Sequence, residues 1–321
     1  MTQDYPKWGI VTTLKAPLED IANFAAHHIE LGAHRLFIYL DADHPEAFSL
    51  LKSHPKIRTF KADEANWRSA KRPEKHQTRQ TANAQHAYRR KASDVAWLAH
   101  IDVDEFLWPE APIEEQLAAL PDACAAARVR PIEALSAEGQ GLQHGVTCFK
   151  AMTSERKQRR IETEAIYPTF GAQLTGGFLS HVAGKVFART GLEETTFKIH
   201  NFYADGEENP GQQELLETKL CHLHAHTYES WKAAYRFRLS KGAYRAELRP
   251  NRPREQGGLS LHELLSFIEQ SDGEEGLRTF YHEVCTATPE LLERLDAYGL
   301  LHCLKLDLAE KRMRQFPNFP Q

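Results

Sequence analysis

Cysteine is sparse and unpatterned in this chain. Cys124, Cys148, Cys221, Cys285 and Cys303 are odd in number, widely spaced and form no CxxC pair. That argues against a disulfide framework or structural zinc, and buried free thiols are expected. Long apolar runs are also missing, since no stretch approaches the roughly 20 residues that span a bilayer. The opening MTQDYPKWGIVTTL lacks the basic region and apolar core of a signal peptide. A cytoplasmic protein without a membrane span is expected. Charge of one sign is not in excess either. Forty basic residues against 44 acidic give a formal net charge of −4, so no global positive field draws the chain to nucleic acid or an anionic membrane. Phosphate binding, if it occurs, must be local. No internal repeat is visible.

What is present suits a globular α/β protein: 321 residues, 41% of them hydrophobic, enough for one large domain or a core domain with an appendage. Short β-rich runs at Gly9–Leu14, Arg35–Asp41, Ile57–Phe60 and Val95–Asp102 are separated by segments of helical spacing, the pattern of βαβ units and a largely parallel sheet. Pro17 sits where a helix can begin. Ile21, Phe24, Ala25, His28 and Leu31 recur at helical spacing before Gly32 ends it. Ligands of open α/β sheets bind beyond the carboxyl ends of the strands, so Asp41, Asp43, Asp102 and Asp104 should gather along one edge.

The densest chemistry lies in AWLAHIDVDEFLWP, residues 96–109. An apolar run stops at Asp102, Asp104 and Glu105, and acids crowded after buried residues call for a partner or a metal. On an extended backbone Asp102 and Asp104 would face the same way. Oxygen ligands of this kind suit Mg²⁺ or Mn²⁺. The alternative is a turn in which one of these acids caps the following element.

Residues 66–91 are polar and basic, with a helix expected from Glu74 onward. Arg79, Asn83 and His86 share one face, while Ala82, Ala84 and Ala87 offer little to a deep core. The helix is either solvated or brings Arg and Asn to an anionic ligand. Residues 127–150 read as strands and loops and 167–184 as connecting loop. Lys185–Arg189 and Thr196–Phe202 read as a second pair of strands, and Asp205–Gly211 as a turn that could act as a lid. In LCHLHAHT, residues 220–227, His222, His224 and His226 would lie on one side of an extended segment, either as transition-metal ligands or as the polar face of an edge strand. Tyr228–Lys241 reads as an amphipathic helix with Trp231, Tyr235 and Leu239 in the core, and residues 259–313 are helical in pattern.

The order of these features resembles the family-2-like glycosyltransferases of the GT-A fold, especially a bacterial group similar to family 92. The resemblance rests on GIVTTLKAPLEDIANFAAHHIELGAHRLFIYLDAD, QTRQTANAQHAY, DVAWLAHIDVDEFLWP and the late GKVFAR, KIHNF and HLHAHTYESWKAAYRFRLSKG segments. It spans roughly Trp8 to Gly242 and is poor over Leu135–His181. It implies a Rossmann-type mixed sheet flanked by helices, with a catalytic domain at 1–245 and a helical C-terminal extension at 246–321. It also implies a metal-dependent transferase that moves a sugar from a UDP- or GDP-linked donor to a carbohydrate-type acceptor, as in polysaccharide biosynthesis. Carried over, Asp104 binds Mn²⁺ or Mg²⁺, Asp102 meets the ribose or metal-bound water, and Asp41 or Asp43 approaches the nucleobase. His224 or His226 completes the metal shell. Arg79, Asn83 and Lys185 are placed near the donor phosphates. For the base that deprotonates the acceptor, Asp205 and Glu207 are the candidates taken forward, with Glu155 and Glu208 behind them. In relatives an acid follows the first strand where this chain has Ala16 and Pro17, which weakens the expected nucleobase contacts. Two other classes stay open: a metal-dependent hydrolase using His222, His224 and His226 with the Asp102/Asp104 pair, and a non-catalytic carbohydrate-binding relative.

Overall fold

The computed structural model describes residues 5–61, 73–241, 250 and 253–320. The expected domain boundary at 245/246 and the start of the polar stretch at residue 66 lie outside them. In chain order the elements begin β1 (Trp8–Leu14), α1 (Leu18–Glu30), β2 (Arg35–Leu40), α2 (Pro45–Lys52), β3 (Ile57–Lys61), α3 (His76–Arg90) and β4 (Trp97–His100). Next come β5 (Glu105–Pro109), α4 (Ile113–Ala118), β6 (Ala126–Ala134), β7 (Thr147–Lys150), α5 (Arg156–Ile166), β8 (Lys185–Arg189), β9 (Thr195–Phe197), β10 (Phe202–Ala204) and β11 (Glu207–Glu208). The chain continues through β12 (Gln213–His222), α6 (Tyr228–Lys241), α7 (Leu261–Cys285), α8 (Pro289–Ala297), β13 (Leu301–Leu304) and α9 (Leu308–Gln315). The fold is α/β, with a mixed sheet flanked by helices and a helical C-terminal region. Two compact units are built from interleaved stretches: residues 1–131, 183–221 and 307–321 form the first, and 132–182 and 222–306 the second.

In the first unit β1 pairs in parallel with β2 and β4, and β2 with β3. Because β1 and β2 are buried along almost their whole length, they read as continuous apolar runs rather than alternating ones. β8 lies antiparallel beside β4, and β6 antiparallel beside β8. Antiparallel pairing brings the start of β8 to the same edge at which β4 ends. Helix α1 has Pro17 at its N-cap and ends where Gly32 adopts φ +100°, as Pro and Gly at those positions favour. Helix α3 packs Ala84 and Ala87, both fully buried, toward the sheet. The expectation that these alanines add little to a core is corrected: their small size lets the helix backbone come close. β9, β10 and β11 form a separate antiparallel sheet.

In the second unit β7 pairs antiparallel with β13 and with the end of β6. Cys148 and Cys303 face each other in the β7–β13 register and are joined by a disulfide. The expectation of five free thiols is corrected there, whereas Cys124, Cys221 and Cys285 are buried and free. A separation of 155 residues hid this pair, since strand register rather than sequence spacing brings it together. The core here is aromatic: Tyr167, Trp231, Tyr235 and Phe280 are almost fully buried. β13 interrupts a stretch expected to be wholly helical, and α5 arises where no helix is expected. Among the described residues no helix is long and apolar enough to cross a membrane.

Candidate active site

The carboxyl edge of the parallel strands in the first unit gathers the expected polar residues into one network. Asp41 follows β2 directly, held by its backbone N–H donating to Leu14 O at 2.8 Å. Its carboxylate is clamped by Arg79, with Nε to Oδ1 at 2.7 Å and Nη2 to Oδ2 at 2.5 Å, and His76 Nδ1 lies 3.0 Å from Oδ2. The fork geometry of guanidinium matches a carboxylate edge-on. Next to Arg79 on α3, Gln80 Nε2 donates to Asp102 Oδ1 at 2.6 Å, and one turn on Asn83 Nδ2 donates to Thr13 Oγ1 at 3.0 Å. Farther along, Tyr39 Oη and His86 Nδ1 share a hydrogen bond at 2.7 Å. Arg79, Asn83 and His86 do share a face, and it points inward.

Lys185 closes the network from the other side. It is 1% exposed, and its Nζ lies 2.6 Å from Asp102 Oδ2 and 3.2 Å from Glu105 Oε2. Burial works against its charge, but the two carboxylates outweigh burial and hold Lys185 above its ordinary value. Asp102 and Asp104 are not on a strand. β4 stops at His100, residues 103–104 form a turn, and β5 starts at the buried Glu105. The expected strand alternation of the two aspartates is corrected accordingly. Glu105 Oε2 accepts the Asp102 N–H at 2.8 Å and fixes the turn. Below it, His100 is buried, and burial, reinforced by Lys185, lowers it to about 4.

Asp43 is exposed on the loop after β2. Asp205 and Glu207 are exposed at the β10–β11 hairpin, where Asp205 has φ +50°. The segment expected as a lid is the tip of that small sheet, tied down by Asn209, whose Oδ1 accepts the Phe202 N–H at 2.8 Å. Glu208 accepts from Tyr203 Oη at the same hairpin. Glu155 lies in the second unit, where it caps α5 through the N–H groups of Lys157 and Gln158.

The histidine run is not one extended segment, because β12 ends at His222 and the residues of His224 and His226 lie beyond it. All three belong to the second unit, while Asp102 and Asp104 belong to the first. His222 packs against His181 and His224, with ring centroids 5.3 and 5.1 Å apart. Arg238 Nη1 lies 2.6 Å from His224 Nε2.

Gln80, His76 and Thr13 are not singled out by the sequence, whereas Glu105 belongs to the acidic cluster read there. The helical spacing of Arg79 and Asn83 carries the signal for Gln80 alone, one position away from a residue already assigned. As for a metal, the Asp102–Glu105 turn carries three carboxylates, of which Asp102 and Glu105 meet the Lys185 ammonium, and the two formal negative charges left over are what a divalent cation would balance. The oxygen donor set fits Mg²⁺ or Mn²⁺.

Residues 12–136, from β1 through β6, match the family model of Glycosyltransferase family 92, so this part of the chain is similar to that family. Among solved structures it is similar to a mycobacterial protein at 11% identity and TM-score 0.31, covering 57% of this chain and 53% of that one. It is also similar to HddC from Yersinia pseudotuberculosis at 11% identity and TM-score 0.27, covering 43% of this chain and 65% of that one. The chain thus spans about half the length of the first and just under two thirds of the second. No curated protein matches the sequence.

Proposed function

We propose that the protein transfers a sugar from a nucleotide-sugar donor, UDP- or GDP-linked, to a carbohydrate-type acceptor, with Mn²⁺ or Mg²⁺ at the Asp102–Glu105 turn. The observation that carries this reading is the paired network Asp41–Arg79 and Gln80–Asp102–Lys185 at the edge where α/β sheets bind nucleotides. Asp41 and Arg79 together offer an acceptor and donors to a nucleobase. Both oxygens of Asp102 already accept hydrogen bonds, so Asp102 reaches the ribose or a metal-bound water, and Asp104 is the direct metal ligand. The cation would stabilise the charge that develops on the leaving diphosphate. Lys185 holds Asp102 in place through its ammonium. The acceptor hydroxyl loses its proton as it attacks the anomeric carbon, and Asp205 or Glu207 is the proposed base.

A thermal-shift screen of nucleoside diphosphates and nucleotide sugars with Mn²⁺, Mg²⁺ or EDTA tests the reading, because a ligand of the folded state raises the melting temperature. Stabilisation by one nucleotide family, lost in EDTA and in Asp104→Ala, is expected. A large shift with zinc alone and none with any nucleotide would replace the transferase with the hydrolase. Asp205→Asn and Glu207→Gln separate the base: the true one lowers kcat and leaves donor affinity unchanged.

A further inference from the structure

Helix α5 carries Arg156, Lys157, Arg159 and Arg160 in its first turns and no acid in its first turn, within a chain whose formal charge is −4. Cations at a helix N-terminus oppose the helix dipole, so this placement costs helix stability and has no folding rationale of its own. The four side chains converge on a cavity of about 530 Å³ within the second unit, whose apolar wall includes Ala172, Leu174 and Pro253. Glu155 also lines it, but its two oxygens accept the Lys157 and Gln158 N–H groups at 2.8 and 2.6 Å. Arg159 is steadied by the carbonyls of Thr153 and Ser154, each at 3.3 Å. Arg160 stands 3.9 Å from Glu164. Arg156 and Lys157 are exposed and make no side-chain ion pair among the described residues.

We infer that this cavity binds a saccharide carrying phosphate groups. The cations match phosphate oxygens, Arg as a fork and Lys as a point charge. The volume falls in the range of small-molecule sites, and the apolar wall suits the C–H face of a sugar ring. Among the described residues no aromatic ring lines the cavity, so these offer no stacking platform for the bases of a single-stranded nucleic acid. On the glycosyltransferase reading, on which this assignment of ligand class rests, such a saccharide is the natural acceptor.

The test is direct binding of fructose 1,6-bisphosphate, glucose and inorganic phosphate to the full chain by calorimetry at physiological ionic strength. The comparison protein carries Arg156→Glu, Lys157→Glu and Arg160→Glu, all at exposed positions, so it should melt with the wild type. The bisphosphate should bind the wild type more tightly than inorganic phosphate, glucose should not bind, and the variant should lose about tenfold or more in affinity. Nucleotide binding, measured on the same samples, should be unchanged. Equal binding by variant and wild type, or inorganic phosphate as tight as the bisphosphate, would overturn the inference. Retention on phosphatidylglycerol vesicles without bisphosphate binding would overturn it in favour of a membrane surface. Because nucleotide binding is read separately, its loss in both proteins would sink the transferase reading instead.

Discussion

At Lys185 one buried ammonium answers two carboxylates, and removing one partner of a buried ion pair leaves the other charge uncompensated. Lys185→Met is therefore expected to cost roughly 3–5 kcal/mol of stability, read from urea unfolding, and to abolish nucleotide-dependent stabilisation. Survival of donor binding in a folded Lys185→Met protein would remove this residue from the site. The Arg79–Asp41 clamp makes a finer prediction. Arg79→Lys keeps the charge but loses the fork, so it should cost about 1.5 kcal/mol and weaken nucleotide binding more than it weakens the fold. Asp104 is half-buried in a turn, and Asp104→Ala should leave the melting temperature of the ligand-free protein nearly unchanged.

At the scale of elements, the start of β8 depends on Gly184. Its φ is +72°, and a Cβ there would lie 2.1 Å from Val129 O. Gly184→Ala should cost more than the roughly 1–2 kcal/mol of a left-handed non-glycine residue, and it should displace Lys185 from Asp102. Circular dichroism melts together with nucleotide binding would show both effects, and a neutral outcome would mean that the turn relaxes freely. The β7–β13 pair carries a second prediction: Cys303→Ser, at an exposed position, should lower stability by about 2–4 kcal/mol, and reductant should do the same to the wild type. These elements also show how far the sequence could be read. β1, β2 and β4 are legible because strands buried on both faces leave apolar runs, and Asp41 and Asp102 stand out as acids that end those runs. Helical spacing puts Arg79 and Asn83 on one face. The inward packing of α3 is not legible, because alanine marks a close approach as readily as an unused surface. The pairing of Cys148 with Cys303, the helix α5 and the break after His222 depend on long-range register, on which local periodicity is silent.

For the whole molecule, acid is the condition that should expose its buried imidazoles. His28 and His100 are buried, and burial lowers them to about 3 and about 4, against about 6.5 in an unfolded chain. The folded state keeps both neutral while the unfolded state takes up protons below about pH 6.5. Their stabilisation is therefore complete above that pH and is lost as the pH falls toward 4 and 3. Several kcal/mol are at stake at about 1.4 kcal/mol per unit. Urea midpoints should fall steeply between about pH 6.5 and about pH 4, and His100→Gln should flatten that fall; a flat wild-type profile would contradict the assignment.

The same scale holds a consequence of α9. Lys311 Nζ lies 3.2 Å from His27 Nδ1, Arg312 reaches Glu19 and Asn23, and Arg314 reaches Glu30, so the last helix rests on the first one, within the same unit. In synthesis α1 precedes α9 by the whole intervening chain, so the flank of α1 that α9 covers stays bare until residues 308–315 have been made.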